Sequence, residues 1–174
     1  INIEYRFIDK KPEGWWEYCT PWCEEPKWAY IKDSKYRPVS AVVTELVNTR
    51  RWGGNYLLNI GPMADGQFPE EAKEGLEELA QWTSKYGESV FDTMPLPDGE
   101  KCNVPAKAKD NCRYLFVLPG FTGTIEMSGI NRPVSVGWLS GPGEPEYGYD
   151  KGTLKITSEN YKKTDAVKVV KVVI

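Results

Sequence analysis

Trp52-Gly53-Gly54-Asn55-Tyr56-Leu57-Leu58-Asn59-Ile60-Gly61-Pro62-Met63-Ala64-Asp65-Gly66 decides the architecture of the first half of this chain. Two glycines suit the end of a helix, because glycine reaches the left-handed conformation without steric penalty. The run Tyr56 to Ile60 is almost unbroken in apolar character, which predicts a strand buried on both faces. Asn59 is the polar exception, near the strand's C-terminal end. In a barrel of parallel strands, side chains enter the active site at that end. Gly61-Pro62 stops the strand, and Ala64-Asp65-Gly66 predicts a turn in which Asp65 is a turn former rather than a catalyst.

Helices flank this elbow on both sides. Upstream, Tyr36 to Arg51 is predicted helical, with Val39, Val42, Val43, Leu46 and Val47 recurring on one face. Pro38 is tolerated only in the first turn, and Arg50 and Arg51 favour the last turn, where cations oppose the helix dipole. Downstream, a second helix runs from about Pro69 to Tyr86. Glu70 and Glu71 lie in its first turn, Lys85 in its last and Gly87 beyond it. Ala72, Leu76, Leu79, Ala80 and Thr83 form its expected buried stripe, and Glu74, Glu77 and Glu78 its solvated face.

Further upstream, Ile1 to Ile8 alternates as a strand, with Glu4 turned away from the apolar row. Trp15-Trp16-Glu17-Tyr18-Cys19-Thr20-Pro21-Trp22-Cys23 and Lys27-Trp28-Ala29-Tyr30 follow. Pro21 and Pro26 rule against a long helix here. Rings this dense either plug a core, since large aromatics dominate burial, or offer sugar faces a stacking platform. Different rings can do each job.

After Glu88 the composition changes. Met94 to Gly99 has linker composition. Short strand-like runs follow at Cys112 to Leu118, Thr124 to Met127, Val134 to Leu139, Thr153 to Thr157 and Val167 to Ile174. Turn clusters separate them, and Asp150-Lys151-Gly152 predicts a hairpin turn. Runs of this length and spacing indicate a small antiparallel β-sandwich. Lys168 and Lys171 fit a last strand with one wet face. The expected fold is thus α/β plus all-β: the last β/α units of an incomplete (β/α)8-like barrel over residues 1–93, then an antiparallel sandwich over 94–174.

A net charge of −3 offers no basic field for nucleic acid, and no apolar run reaches the roughly 20 residues that span a bilayer. The abrupt start at Ile1 points to a processed or truncated chain. There is no histidine, so Ser-His and Cys-His nucleophile pairs and histidine metal sites cannot be built. Cys19, Cys23, Cys102 and Cys112 fit no zinc spacing, and neither metal nor cofactor is expected. Cys102 and Cys112 could close a disulfide or remain thiols. Oxidation would favour an extracytoplasmic compartment, secreted, periplasmic or lysosomal.

Gly-Gly-Asn-Tyr-Leu-Leu-Asn-Ile-Gly-Pro, together with the Trp-Glu-x-Cys segment, Trp-Ala-Tyr and Tyr-Gly-Glu-Ser-Val-Phe-Asp-Thr, resembles the family 29 α-L-fucosidases. The resemblance covers the whole chain and is strongest from Trp15 to Thr93. Members usually carry Ser-Trp-Gly-Tyr or Ser-Phe-Gly-Tyr where Lys27-Trp28-Ala29-Tyr30 stands, so Lys27 and Ala29 are departures. The resemblance implies a retaining hydrolase acting on terminal fucose of glycans. It places Glu4 at the position of a general acid/base glutamate, without the usual preceding Thr-Pro. Trp28 matches an aromatic residue that contacts fucose, and Trp16 and Glu17 are assigned to the same pocket wall, Glu17 also as fallback proton donor. The nucleophilic aspartate has no counterpart here, and about ninety residues cannot close a barrel that typically takes roughly 250. An N-terminal barrel portion carrying the nucleophile is therefore the expected partner. The alternatives are a non-catalytic carbohydrate-binding module, built on Trp15, Trp16, Trp22 and Trp28, and a structural remnant.

Overall fold

The computed structural model describes residues 1–6, 10–25, 27–141, 143–157 and 166–174. The chain forms two compact units, Ile1–Ser84 and Lys85–Ile174.

Among the described residues the first unit is built on three parallel strands, β1 (Asn2–Glu4), β2 (Glu17–Pro21) and β3 (Asn55–Asn59), in the order β1-β2-β3. Helix α1 (Val39–Arg50) connects β2 to β3, and α2 (Glu70–Tyr86) follows. The sheet is open, not a closed barrel. The central strand β2 is the best buried, with Tyr18, Cys19, Thr20 and Pro21 all inaccessible.

Helix α1 begins at Val39, later than the apolar periodicity predicts. Pro38 stands outside it as the N-cap, at φ −58° and ψ 147°. Extended geometry is what the ring allows there, and it keeps Arg37 out of the helix as well. The buried face carries Val39, Val42, Val43 and Val47, with Leu46 half-buried. In α2 the stripe is rotated from the expected one: Ala72, Trp82 and Tyr86 are buried, whereas Leu76 and Ala80 are exposed. Gly75 explains the shift. A Cβ there would lie 2.8 Å from the Trp22 ring, so the helix turns its glycine, not Leu76, toward that indole.

Strand β3 forms where expected but is not buried on both faces. Tyr56 turns toward α1, donating from its hydroxyl to Glu45 Oε2 at 2.8 Å and stacking on Tyr18 at 6.0 Å. Leu57 points the other way and is 44% exposed, because no described element covers that face. Strand β1 is also shorter than expected: Ile1 and Tyr5 are exposed, and the predicted stretch from Phe7 to Ile8 lies outside the described residues.

Among the described residues the second unit contains nine short strands in two antiparallel sheets. One has the order β10-β11-β8-β5 and the other β4-β6-β7-β12-β9. The elements are β4 (Met94–Pro95), β5 (Lys101–Cys102), β6 (Ala106–Lys109), β7 (Cys112–Val117), β8 (Thr124–Ser128), β9 (Ser135–Trp138), β10 (Tyr147–Asp150), β11 (Thr153–Thr157) and β12 (Lys168–Val173). Ile125, Met127, Leu154 and Ile156 from one sheet meet Leu115, Val117, Val170 and Val172 from the other in a single core. At about 25 cal/mol per Å² of apolar surface, this interior is the main source of the unit's stability. Asp150 pairs with Thr153 across a two-residue turn with φ 43° at Lys151 and 82° at Gly152, the doubly positive geometry that suits a hairpin's twist. The last strand does not have one wet face. Lys168 and Lys171 are three residues apart, so the period of two puts them on opposite faces. Val169 and Phe116, paired across the sheet, are fully buried on the side away from the core.

Candidate functional site

Alternation gives the parallel sheet two unlike faces. Tyr18 and Tyr56 turn toward the helices. Opposite them, Asn2, Glu17 and Asn55 share one level of the register, Glu4, Cys19 and Leu57 the next, and Pro21 and Asn59 the last. That second face is polar and partly open. Glu4 is exposed and accepts a hydrogen bond from Asn2 Nδ2 at 3.2 Å. Glu17 is half-buried and accepts from Cys19 Sγ at 3.2 Å. Burial, the hydrogen bond to Glu17 and the charges of Glu17 and Glu4 push the Cys19 thiol up to about 11. It therefore keeps its proton at neutral pH and stays a donor to Glu17.

The C-terminal mouth of the sheet is assembled by the elbow. Asn59 Nδ2 donates to the Trp28 carbonyl at 2.8 Å. A Cβ on Gly61 would lie 2.2 Å from the Tyr30 backbone nitrogen, so only glycine lets the 27–30 segment pass. Trp28, 37% exposed, lies with its ring 5.0 Å from that of Tyr5, inclined at 54°. The structure thus ties the Trp28 backbone to the C-terminal end of β3 through Asn59 and sets its ring beside Tyr5, the residue after Glu4.

The other rings divide as the two readings allow. Trp16 is only 4% exposed; its indole donates to the Trp52 carbonyl at 3.4 Å and fills the space a Cβ on Gly54 would need, 2.4 Å away. Its observed contacts are those of a support for the Gly-Gly elbow. Trp22 is buried, donating to the Arg37 carbonyl at 2.7 Å. Trp15 is almost fully exposed, so the four tryptophans do not form one platform.

Arg37 and Glu45 carry no role in the sequence reading, yet they fasten the end of β2 to α1. The guanidinium donates to Glu45 Oε1 at 2.5 Å and to the Pro21 carbonyl at 2.8 Å. Burial opposes its charge, but the hydrogen bond and charge of Glu45 outweigh that and hold its pKa raised. Burial, followed by the Glu45 charge, likewise raises the Tyr56 phenol. The one available signal was Arg-Pro at a helix start with a helical glutamate eight residues on. All four cysteines are free thiols, and among the described residues no group of three or more acidic or cysteine side chains could hold a metal.

The chain thus combines an open parallel sheet backed by helices with an antiparallel two-sheet unit. The profile of the α-L-fucosidase family matches residues 2–88, half of the chain, and the chain belongs to that family. Tissue α-L-fucosidase of Macaca fascicularis is 39% identical over 98 residues, covering 54% of this chain and 21% of that protein. The human tissue enzyme is 38% identical over the same length and coverage. The chain thus spans about a fifth of the curated relatives it matches. The solved α-fucosidase of Thermotoga maritima, in complex with a mechanism-based inhibitor, has a TM-score of 0.75 at 26% identity, covering 99% of this chain and 42% of that one. The Paenibacillus thiaminolyticus isoenzyme 1 shares the fold, with a TM-score of 0.79 at 21% identity over 99% of this chain and 44% of the other.

Proposed function

We propose that this chain is the C-terminal part of a retaining exo-α-L-fucosidase that removes terminal fucose from glycans. Residues 1–93 would supply the last units of its barrel and 94–174 the sandwich that follows. The observation that carries this reading is the sheet face opposite the helices, where Glu4 and Leu57 are exposed and Glu17 is half-buried. In a barrel that face is the interior. The preceding barrel portion is the partner that covers it and supplies the nucleophile.

A retaining glycosidase needs two carboxyl groups about 5 to 5.5 Å apart. One attacks the anomeric carbon, and the other protonates the departing glycosidic oxygen, then takes a proton from the water that releases the sugar. Glu4 is assigned the second role and Glu17 is the fallback. Trp28 supplies the aromatic wall, and Trp16 acts from behind by supporting the elbow.

Glu4→Gln in the assembled enzyme tests the assignment. Natural glycans with poor leaving groups should slow by about 100-fold or more, in the range of general acid catalysis. Aryl fucosides with good leaving groups should slow far less in the first step. Azide, which needs no general base, should restore release of the sugar. Equal, undiminished rates on both substrates would make Glu4 a bystander, and the same series on Glu17→Gln would then decide for the fallback.

A further inference from the structure

Guanidinium groups withdrawn from water in this chain are matched by acceptors. Arg37 is half-buried and pairs with Glu45, and Arg113 is buried and meets Glu100 through Nε and Nη2, both at 2.6 Å. Arg50 donates to the Gly54 carbonyl at 3.1 Å. Arg51 is the exception among the described residues. It is half-buried, its Nε is shut off from solvent without an acceptor, and it enters no ion pair. What it touches is the Trp52 ring, whose centroid lies 4.2 Å from the guanidinium carbon. Burial lowers its pKa with no charge or hydrogen bond opposing, the reverse of the balance at Arg37. A charge withdrawn from water without a counter-charge is destabilising. The residue is nevertheless firmly placed. Its amide donates to the Val47 carbonyl at 2.9 Å, and the Trp52 and Gly53 amides turn back onto the Thr49 and Arg50 carbonyls. With Nε enclosed, the donors left to a partner are the two Nη groups, a fork that matches the two oxygens of a carboxylate.

We propose that Arg51, stacked on Trp52, is a docking cation that takes an acidic side chain from the barrel portion preceding this chain. The inference rests on the reading of the chain as the C-terminal part of a fucosidase and names a contact that reading does not use. Position selects the occupant. Arg51 stands four residues before β3, and β3 is the edge of the sheet, paired on one side with β2. Closing a barrel sets a strand from outside this chain against that free edge. The turn from α1 into β3 lies beside the start of that edge, at the end of the sheet opposite Asn59. The chain covers 42% of the Thermotoga maritima enzyme whose fold it shares, so the remainder of such an enzyme is long enough to bring the strand and its acid. Stacking on the indole holds the guanidinium plane in advance, which favours a forked partner over a diffuse one.

Arg51→Met keeps a long unbranched side chain and removes the charge, and two measurements on it test the proposal. In the full chain alone, the urea midpoint should be unchanged or raised, because the cation has no counter-charge there to lose. In the complex with the preceding barrel portion, the dissociation constant measured by calorimetry should rise about tenfold or more, the scale of removing one partner of a desolvated charge pair. Added salt should weaken the parent complex more than the variant complex. Arg51→Lys keeps the charge and loses the fork, and its affinity should fall between the two. A midpoint lowered in the chain alone would show the charge satisfied within it. An Arg51→Met complex as tight as the parent would show that no acid docks there. Inorganic phosphate that stabilises the parent chain but not Arg51→Met would show a site for a free oxyanion. Each of these results overturns the docking contact while leaving the proposed function standing. That function fails on a different result, a parent complex that does not form or does not turn over an aryl fucoside, and the docking contact then falls with it.

Discussion

Single atoms decide what the elbow can be. Gly54 has the Trp16 indole 2.4 Å from where a Cβ would stand, and Gly61 has the Tyr30 backbone at 2.2 Å. Gly54→Ala should therefore cost about 1–3 kcal/mol, the usual range for overpacking, measured by chemical denaturation. Gly61→Ala should cost at least as much, because backbone cannot rotate away as an indole can. The glycines were legible in the sequence, but the reason assigned to Gly54 was conformational freedom. The structure gives close approach, which needs a partner 38 residues away that spacing cannot show. Cys19 supports a pH prediction. Its thiol has an ordinary value of 9.0 and is raised to about 11 in the fold. Between those values the native state binds more protons than the unfolded one, so stability falls as pH rises through this window and is intact below it. Denaturation midpoints from pH 8 to 11 should decline, and Cys19→Ala should flatten part of that decline. An unchanged slope in the variant would show that the thiol is not the group responsible.

Helices and strands were readable wherever a period ran long enough. The valine repeat of α1, the acidic start of α2 and the Asp150-Lys151-Gly152 turn all lie where local chemistry puts them. Some short strands were not readable: β6 is Ala-Lys-Ala-Lys and β10 is Tyr-Gly-Tyr-Asp, and neither carries a strong apolar signal apart from its neighbours. Burial was misjudged for a common reason. Leu57 and Leu58 are equally apolar, but which one is covered depends on what lies opposite, and that is tertiary information. The tryptophans make the same point in a testable way. Trp22, 1% exposed, should cost about 3–5 kcal/mol as alanine, whereas Trp15, 91% exposed, should stay within about 0.5 kcal/mol. Urea denaturation of the two variants checks the division of the aromatic segment into core and surface. Comparable losses in both would contradict it.

At the scale of the molecule, two units share one chain, and the first presents a sheet with one helix-backed face and one open one. The family was legible from motifs, since the elbow and the Trp-Glu-x-Cys segment carry it. The site was legible only in part. Trp28 is partly exposed next to the end of β3, whereas Trp16 is buried against the Gly-Gly elbow. Arg37 and Glu45 escaped because an ion pair between a pre-helical arginine and a helical glutamate leaves no distinctive spacing. The central claim is that the open face is the interior wall of a fucosidase barrel. Co-expressing this chain with the preceding barrel portion of a related α-L-fucosidase, then assaying the purified complex on an aryl α-L-fucoside, tests it most directly. The account predicts turnover by the complex and none by either part alone, with amide exchange at Leu57 and Cys19 slowed on assembly. A stable complex that leaves those amides unprotected and the fucoside intact would contradict it.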